Sequence, residues 1–186
     1  MLQRFIYILV FSLLISCGGE NNQTESSSAD SASDAATGTA EADSVAQAQA
    51  VEQATFTDLE GNPVSLSEFQ GKVVLIDFWE TWCKPCLASF KTIQQLVENY
   101  PDRFVVLAVT PGFTNTKEDA RKFAANHEYD FVWLYDENKL HQKLNVQGIP
   151  YKVYVGPDGN FIQKSLGSKG PESDYKQAKK IIEQHS

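Results

Sequence analysis

Two cysteines separated by two residues, in Trp82-Cys83-Lys84-Pro85-Cys86, are the side chains of this sequence best suited to covalent chemistry. They follow a near-continuous apolar run, KVVLIDFW at residues 72–79, and precede a stretch in which Leu87, Phe90, Ile93, Val97 and Tyr100 recur three or four apart. The run reads as a strand buried on both faces, the stretch as a helix with one apolar face that stops before Pro101. At that junction the first sulfur falls at a helix amino terminus, where unsatisfied N–H groups and the macrodipole favour a thiolate. Cys83 is therefore the predicted nucleophile. Cys86, one turn further in and less exposed, can close on Cys83 as a disulfide without unwinding the helix, and is the predicted resolving thiol. Pro85 fits the first turn, where its missing N–H is no loss. Lys84 either lowers the Cys83 pKa through its charge or is simply a solvated lysine. Three uses of such a pair stand open: dithiol–disulfide exchange, a copper or zinc module with both sulfurs as ligands, and a static disulfide on a binding domain.

The elements that must position this pair alternate between strand and helix patterns. Residues 54–57 and 64–66 flank the turn cluster Glu60-Gly61-Asn62-Pro63 and read as a hairpin. Residues 104–110 form a second buried strand, and Thr116 to Asp119 approximate a capping box for a helix through about residue 126. Residues 131–135 read as a strand, 137–144 as a short helix, and 151–155 with 161–164 as a hairpin around Gly156-Pro157-Asp158-Gly159. A last helix begins near Pro171 with Tyr175, Ala178 and Ile182 on its inner side. That order implies an α/β sandwich, a central mixed sheet with helices on both faces and an N-terminal hairpin.

The 186 residues suit one domain plus appendages, and the odd count of three cysteines leaves one thiol outside the pair. Residues 1–16 open with Arg4 and continue as the apolar run FIYILVFSLLIS, too short to span a bilayer and read as a signal peptide. The run closes on Leu14-Ile15-Ser16-Cys17, which resembles a bacterial lipobox; the resemblance implies cleavage before Cys17, a diacylglycerol thioether on its sulfur and acylation of the new amino terminus. The alternative is an ordinary signal or weak anchor with an incidental cysteine. Residues 17–50 contain one Val, no aromatic residue, no Lys or Arg and six acidic residues, and are expected to be a disordered tether. The net charge of −8 then divides into +1 for the signal, −6 for the tether and −3 for residues 51–186, the predicted globular domain. An acidic chain without a basic block argues against nucleic acid as a partner. A monomer is expected.

VVLIDFWETWCKPC, with Gly148-Ile149-Pro150 some 60 residues downstream and just before a strand, resembles the thioredoxin superfamily. The hairpin, the extra helix after the second buried strand and the signal with its tether narrow this to the exported TlpA/ResA-type thiol–disulfide oxidoreductases, over residues 51–186. The resemblance implies a cis-proline at Pro150 packed against the cysteine pair, backbone pairing of Ile149 with the substrate, and Asp77 as general base for Cys86. A carboxyl on a buried strand should have a raised pKa, suited to proton transfer near neutrality. It further implies a reductant of exported protein disulfides, such as those of apocytochrome c before haem attachment, recharged by a membrane thiol-electron carrier and held at the periplasmic side of the cell envelope through lipidated Cys17. No cofactor and no metal are expected.

The sequence departs from that pattern at three places. A Glu three residues after the second cysteine and a Pro two further on are common in the family; Ser89 and Lys91 stand there. Glu80, where a small residue is usual, reads either as a stand-in for that acid or as a solvated charge at a strand end. Tyr151 replaces the common Thr after the cis-proline, with the expectation of a reshaped substrate groove. Trp82 and Trp79 flank the motif as a shield or as packing, with Trp82 assigned to substrate binding; Trp133 and Tyr135 read as core. His127, His141 and His185 have no zinc spacing and read as surface or packing residues. A thiol peroxidase of related fold is the runner-up enzyme, and the peroxidatic Pro-x-x-x-Thr-x-x-Cys arrangement is lacking.

Overall fold

The computed structural model describes residues 34–185, with side chains from residue 42 onward. The expected signal peptide at 1–16, the expected lipidation site Cys17 and the first half of the expected tether lie outside the described residues. Seven strands form one mixed sheet: β1 (Thr55–Asp58), β2 (Pro63–Ser65), β3 (Val73–Phe78), β4 (Phe104–Thr110), β5 (Val132–Tyr135), β6 (Tyr151–Val155) and β7 (Phe161–Leu166). Their spatial order is β2-β1-β5-β4-β3-β6-β7. The central pairs β3–β4 and β4–β5 are parallel, and all the others are antiparallel. Five helices accompany them: α1 (Asp34–Glu52), α2 (Lys84–Asn99), α3 (Lys117–Ala125), α4 (Leu140–Lys143) and α5 (Pro171–His185).

Every residue of β3 is buried, as its unbroken apolar run requires, and side-chain alternation divides the strand between two cores. Val74, Ile76 and Phe78 face a core shared with Val51, Leu140 and Leu144. Val73 and Leu75 face the other, with Trp79, Phe90, Ile93, Leu96, Ala178 and Ile182. The helix predicted from residues 87–100 therefore forms and lies on this second face. Its inner residues Phe90, Ile93 and Leu96 are wholly buried, each contributing roughly 1.5–3 kcal/mol through removal from water. Asp77, on the same side of β3 as Leu75, has no choice but to point into that layer.

Two expectations are corrected. The tether does not extend to residue 50: Asp34–Glu52 is helical, and its last turns dock on the sheet. Val51 is wholly buried, Lys164 donates to the Gln47 side chain, and the Phe161 N–H donates to the Glu52 carboxylate at 3.4 Å. Alanine-rich sequence propagates a helix readily, and the docked end supplies the apolar contact that composition alone does not reveal. A domain start at 51 thus cuts through α1. The helix expected over 137–144 shrinks to Leu140–Lys143, because Lys139 takes a left-handed conformation and the Asp136 carboxylate accepts the Leu140 and His141 N–H groups.

Candidate active site

The β3–α2 junction carries the cysteine pair where the spacing placed it. Cys83 is the residue that caps α2, the Cys86 N–H points at its sulfur at 3.3 Å, and the two sulfurs are joined in a disulfide with the Cα atoms 5.3 Å apart. Pro85 occupies the first turn. Cys86 is fully buried and Cys83 is 2% exposed. Lys84 and Pro85 are exposed beside it. The Ile149–Pro150 peptide is cis, Pro150 is buried, and Ile149 packs against the cluster that contains both cysteines. Tyr151 is 6% exposed, and its ring meets Phe78 edge-on in the opposite core.

Glu80 is not solvated. It is wholly buried, and its two carboxylate oxygens gather donors from a loop more than thirty residues away. Oε1 accepts the Phe113 N–H at 2.6 Å, and the Thr114 N–H stands 3.2 Å from both oxygens. Oε2 also accepts the Thr114 hydroxyl and the Trp82 indole N–H, each at 2.6 Å, and the Asn115 N–H at 3.3 Å. Three successive backbone amides thus form an anion-binding concavity filled by the chain's own carboxylate. Asn115 answers by accepting the Thr81 N–H through Oδ1 at 2.6 Å. The loop leaves β4 through Gly112, whose φ of 78° favours glycine; an added Cβ would also lie 2.5 Å from the Tyr135 hydroxyl, which would have to move. Trp82, 55% exposed and next to Cys83 in the chain, and Phe113, 41% exposed with its ring edge-on to His141, are both held on this clamp.

On the face of the sheet that α2 covers, Asp77 is wholly buried and its carboxyl is pushed up to about 6, first by burial, with the Lys152 charge opposing and the Asp174 charge adding. Lys152 is the cross-strand partner of Asp77 on β6, and its ammonium, 1% exposed, lies 3.7 Å from Asp77 Oδ2 and 3.3 Å from Asp174 Oδ2. The first separation is that of an ion-pair neighbour, not of a hydrogen bond. Asp174 comes from the first turn of α5 and accepts the hydroxyls of Ser89 at 2.5 Å and Ser168 at 2.8 Å. Ser89 is the residue found where the resembled pattern has a glutamate; here a carboxylate reaches the same helix turn from α5.

Lys152, Asp174 and the 113–115 loop are absent from the sequence-derived candidates. A lysine inside the otherwise apolar strand YKVYV was a legible signal for the first; nothing local marks the others. The histidines join no common site: His127 stacks on Phe123 with ring centroids 3.9 Å apart, and His141 Nδ1 bonds Asp136 at 2.7 Å. Trp79 and Trp133 both lie in the aromatic cluster around Phe90. Among the described residues no group of three His, Cys, Asp or Glu side chains is arranged to hold a metal ion.

The sequence profile of the AhpC/TSA family matches residues 47–164. A thioredoxin-like protein of Bacillus subtilis, YneN, is 33% identical over 108 residues, which are 56% of this chain and 62% of that protein, so the chain spans less than two thirds of its length. A thiol-disulfide oxidoreductase of Bacillus thuringiensis, ResA, is 29% identical over 127 residues, covering 67% of this chain and 72% of that protein. Among solved structures, a DsbE-type thiol:disulfide interchange protein described from Chlorobium tepidum superposes with a TM-score of 0.62 at 27% identity, over 72% of this chain and 93% of that one. An exposed lipoprotein thioredoxin of Streptococcus pneumoniae has a TM-score of 0.57 at 23% identity, over 68% and 98%, and shares the fold.

Proposed function

The chain belongs to the AhpC/TSA family, and from that premise we propose that it is a thiol–disulfide oxidoreductase acting on protein disulfides. The observation that carries this reading is the Cys83–Cys86 disulfide at the amino terminus of α2, with the cis Ile149–Pro150 bond in the same layer. In the reduced protein the Cys86 N–H and the helix terminus stabilise a Cys83 thiolate. That thiolate attacks one sulfur of a partner disulfide; the partner S–S bond breaks, a mixed disulfide forms at Cys83, and a partner thiolate leaves. Cys86 gives its proton to Asp77 and attacks Cys83 Sγ, forming the intramolecular disulfide and releasing the second partner sulfur. The partner gains two electrons and the enzyme loses two. Trp82 and Ile149 receive the partner chain, Ile149 through its backbone beside Pro150.

In our reading the direction is reductive: the protein keeps exported thiols reduced, for example before haem attachment to a cytochrome c, and a membrane thiol-electron carrier re-reduces it. Residues 1–16 are its signal peptide and Cys17 its lipid anchor on the periplasmic side of the envelope, with the chain up to α1 as spacer to the domain. The similarity to ResA and to an interchange protein of the DsbE type supports this. The test is Cys86→Ser, which removes the resolving thiol. Mixed disulfides through Cys83 should accumulate with envelope proteins and vanish in Cys83→Ser, Cys86→Ser; failure to trap any partner would sink the exchange reading. Metal stoichiometric with the purified chain, without disulfide-reductase activity, would favour a binding module.

A further inference from the structure

Asp77, Lys152 and Asp174 form a closed electrostatic unit on the face of the sheet that α2 covers, tied to α2 through Ser89. One ammonium serves two carboxylates, at 3.7 and 3.3 Å, and all three side chains are at least nine-tenths buried. The two acids are not equivalent. Asp174 accepts two serine hydroxyls, whereas neither oxygen of Asp77 receives a hydrogen bond among the described residues, nor does the Lys152 ammonium make one of good geometry. A buried carboxylate without donors is costly as an anion. A proton held by the unit therefore belongs on Asp77, while Asp174 keeps the cation closer to itself.

We propose that Asp174 is a positioning residue for disulfide exchange: by competing for Lys152 and by its own charge, it sets the pH at which Asp77 can take the proton from Cys86. Ser89 and Ser168 fix Asp174 in that position, and Ser89 lies one turn after Cys86 on α2, so the acid is anchored to the helix that carries the reacting sulfur. The titratable groups that face Asp77 are few. Strand β6 contributes Lys152 and the buried Tyr154, whose phenol is pushed above its usual range by burial and by the Asp77 and Asp174 charges. Helix α5 contributes Asp174, and β4 places Ala108 opposite, which does not titrate; Cys86, the proton donor of the proposed mechanism, belongs to the apolar cluster on the same face of the sheet. Asp174 and Lys152 are thus the two charges that act on Asp77, and they act in opposite senses.

The inference rests on the role of Asp77 as base, and the experiment separates the two. The reduced full-length protein is mixed with 5,5′-dithiobis(2-nitrobenzoate) and two releases of thionitrobenzoate are followed. In the first, the Cys83 thiolate displaces one thionitrobenzoate and forms a mixed disulfide. In the second, Asp77 takes the Cys86 proton, Cys86 attacks Cys83 Sγ, and the second thionitrobenzoate leaves. The rate of the second release rises with pH as Asp77 ionises. Asp174→Asn removes a like charge and frees Lys152 for Asp77, so the midpoint should fall by on the order of one pH unit, which is up to about tenfold faster release below the midpoint. Lys152→Gln should move it upward by a similar amount. Loss of packing would not move two variants in opposite directions. In an Asp77→Asn background neither substitution should shift anything. Unmoved midpoints, shifts in one common direction, or shifts that persist without Asp77 would overturn the proposal while leaving Asp77 as base. A wild-type profile in Asp77→Asn alone would remove that base, and the proposal with it.

Discussion

The Glu80 carboxylate holds the Trp82 indole: Oε2 accepts the ring N–H at 2.6 Å from a side chain that is itself wholly buried. The same carboxylate collects the amides of residues 113–115, so one buried charge fastens the cysteine loop to the loop after β4. Both oxygens are engaged by donors, which fits a clamp better than a proton carrier.

Glu80→Gln keeps the shape and places an amide NH₂ against N–H donors. Hydrogen bonds to charged groups contribute about 1.5–3 kcal/mol, and a buried donor left without an acceptor adds its own penalty. The variant should lose roughly 2–4 kcal/mol in urea unfolding, with Trp82 emission moving toward that of a solvated indole. An unchanged midpoint with an altered pH profile of Cys83 alkylation would instead return Glu80 to acid–base work.

Docking of α1 makes a second comparison possible within one helix. Val51 is wholly buried and Val45 is 56% exposed. Val51→Ala should cost about 1–2.5 kcal/mol, and Val45→Ala should stay within about 0.5 kcal/mol. Equal effects in thermal unfolding would mean that the helix does not pack as described.

These two cases also show where the sequence stopped being informative. Strand β3 and helix α2 were legible because their apolar residues repeat at the periods of the structures they form, and the cysteine spacing located the reactive pair on their junction. The end of α1 was not, because its Ala, Ser, Thr and Gln residues carry no apolar stripe and, among the described residues, its one wholly buried apolar side chain is Val51 in the last turn. Glu80 was singled out but its surroundings were not, since all its donors except the Trp82 indole are 33 to 35 residues away. Asp174 and Ser89 are 85 residues apart and neither is unusual where it stands. Local pattern reads what a segment buries; it does not read which distant polar atom will satisfy a buried charge.

Stability of the oxidised protein should carry the signature of Asp77. Its pKa of about 6 in the folded protein exceeds the ordinary value of 3.8, so the folded state binds this proton more tightly than the unfolded chain. That linkage makes the native state lose stability as pH rises from about 4 to 6, with the full loss present at pH 7. Asp77→Asn removes the titration. It should be more stable than the wild type at pH 7, by on the order of 1–3 kcal/mol, and the advantage should fade as pH falls through 6 to 4. Urea unfolding across pH 4–8 measures this, and a constant difference between the two proteins would contradict it.

Trp82 separates recognition from chemistry. Its ring is more than half exposed next to Cys83, yet its N–H is fixed to Glu80, so it presents apolar surface that is already ordered when a partner arrives. Ordered aromatic side chains at the centre of an interface commonly contribute about 2 kcal/mol or more, equivalent to roughly thirtyfold in affinity. Trp82→Ala should therefore lower kcat/KM for a protein disulfide by about that factor, chiefly through KM, while reduction of a small aromatic disulfide by Cys83 changes little. Truncation also deprives Glu80 of a donor, so Trp82→Phe provides the control: it keeps a ring at the rim and loses the same hydrogen bond. If the ring matters for docking, Phe restores most of the activity on protein substrates. If both variants fall equally, and on both substrates, the contribution of Trp82 lies in holding Glu80 and the loop it clamps.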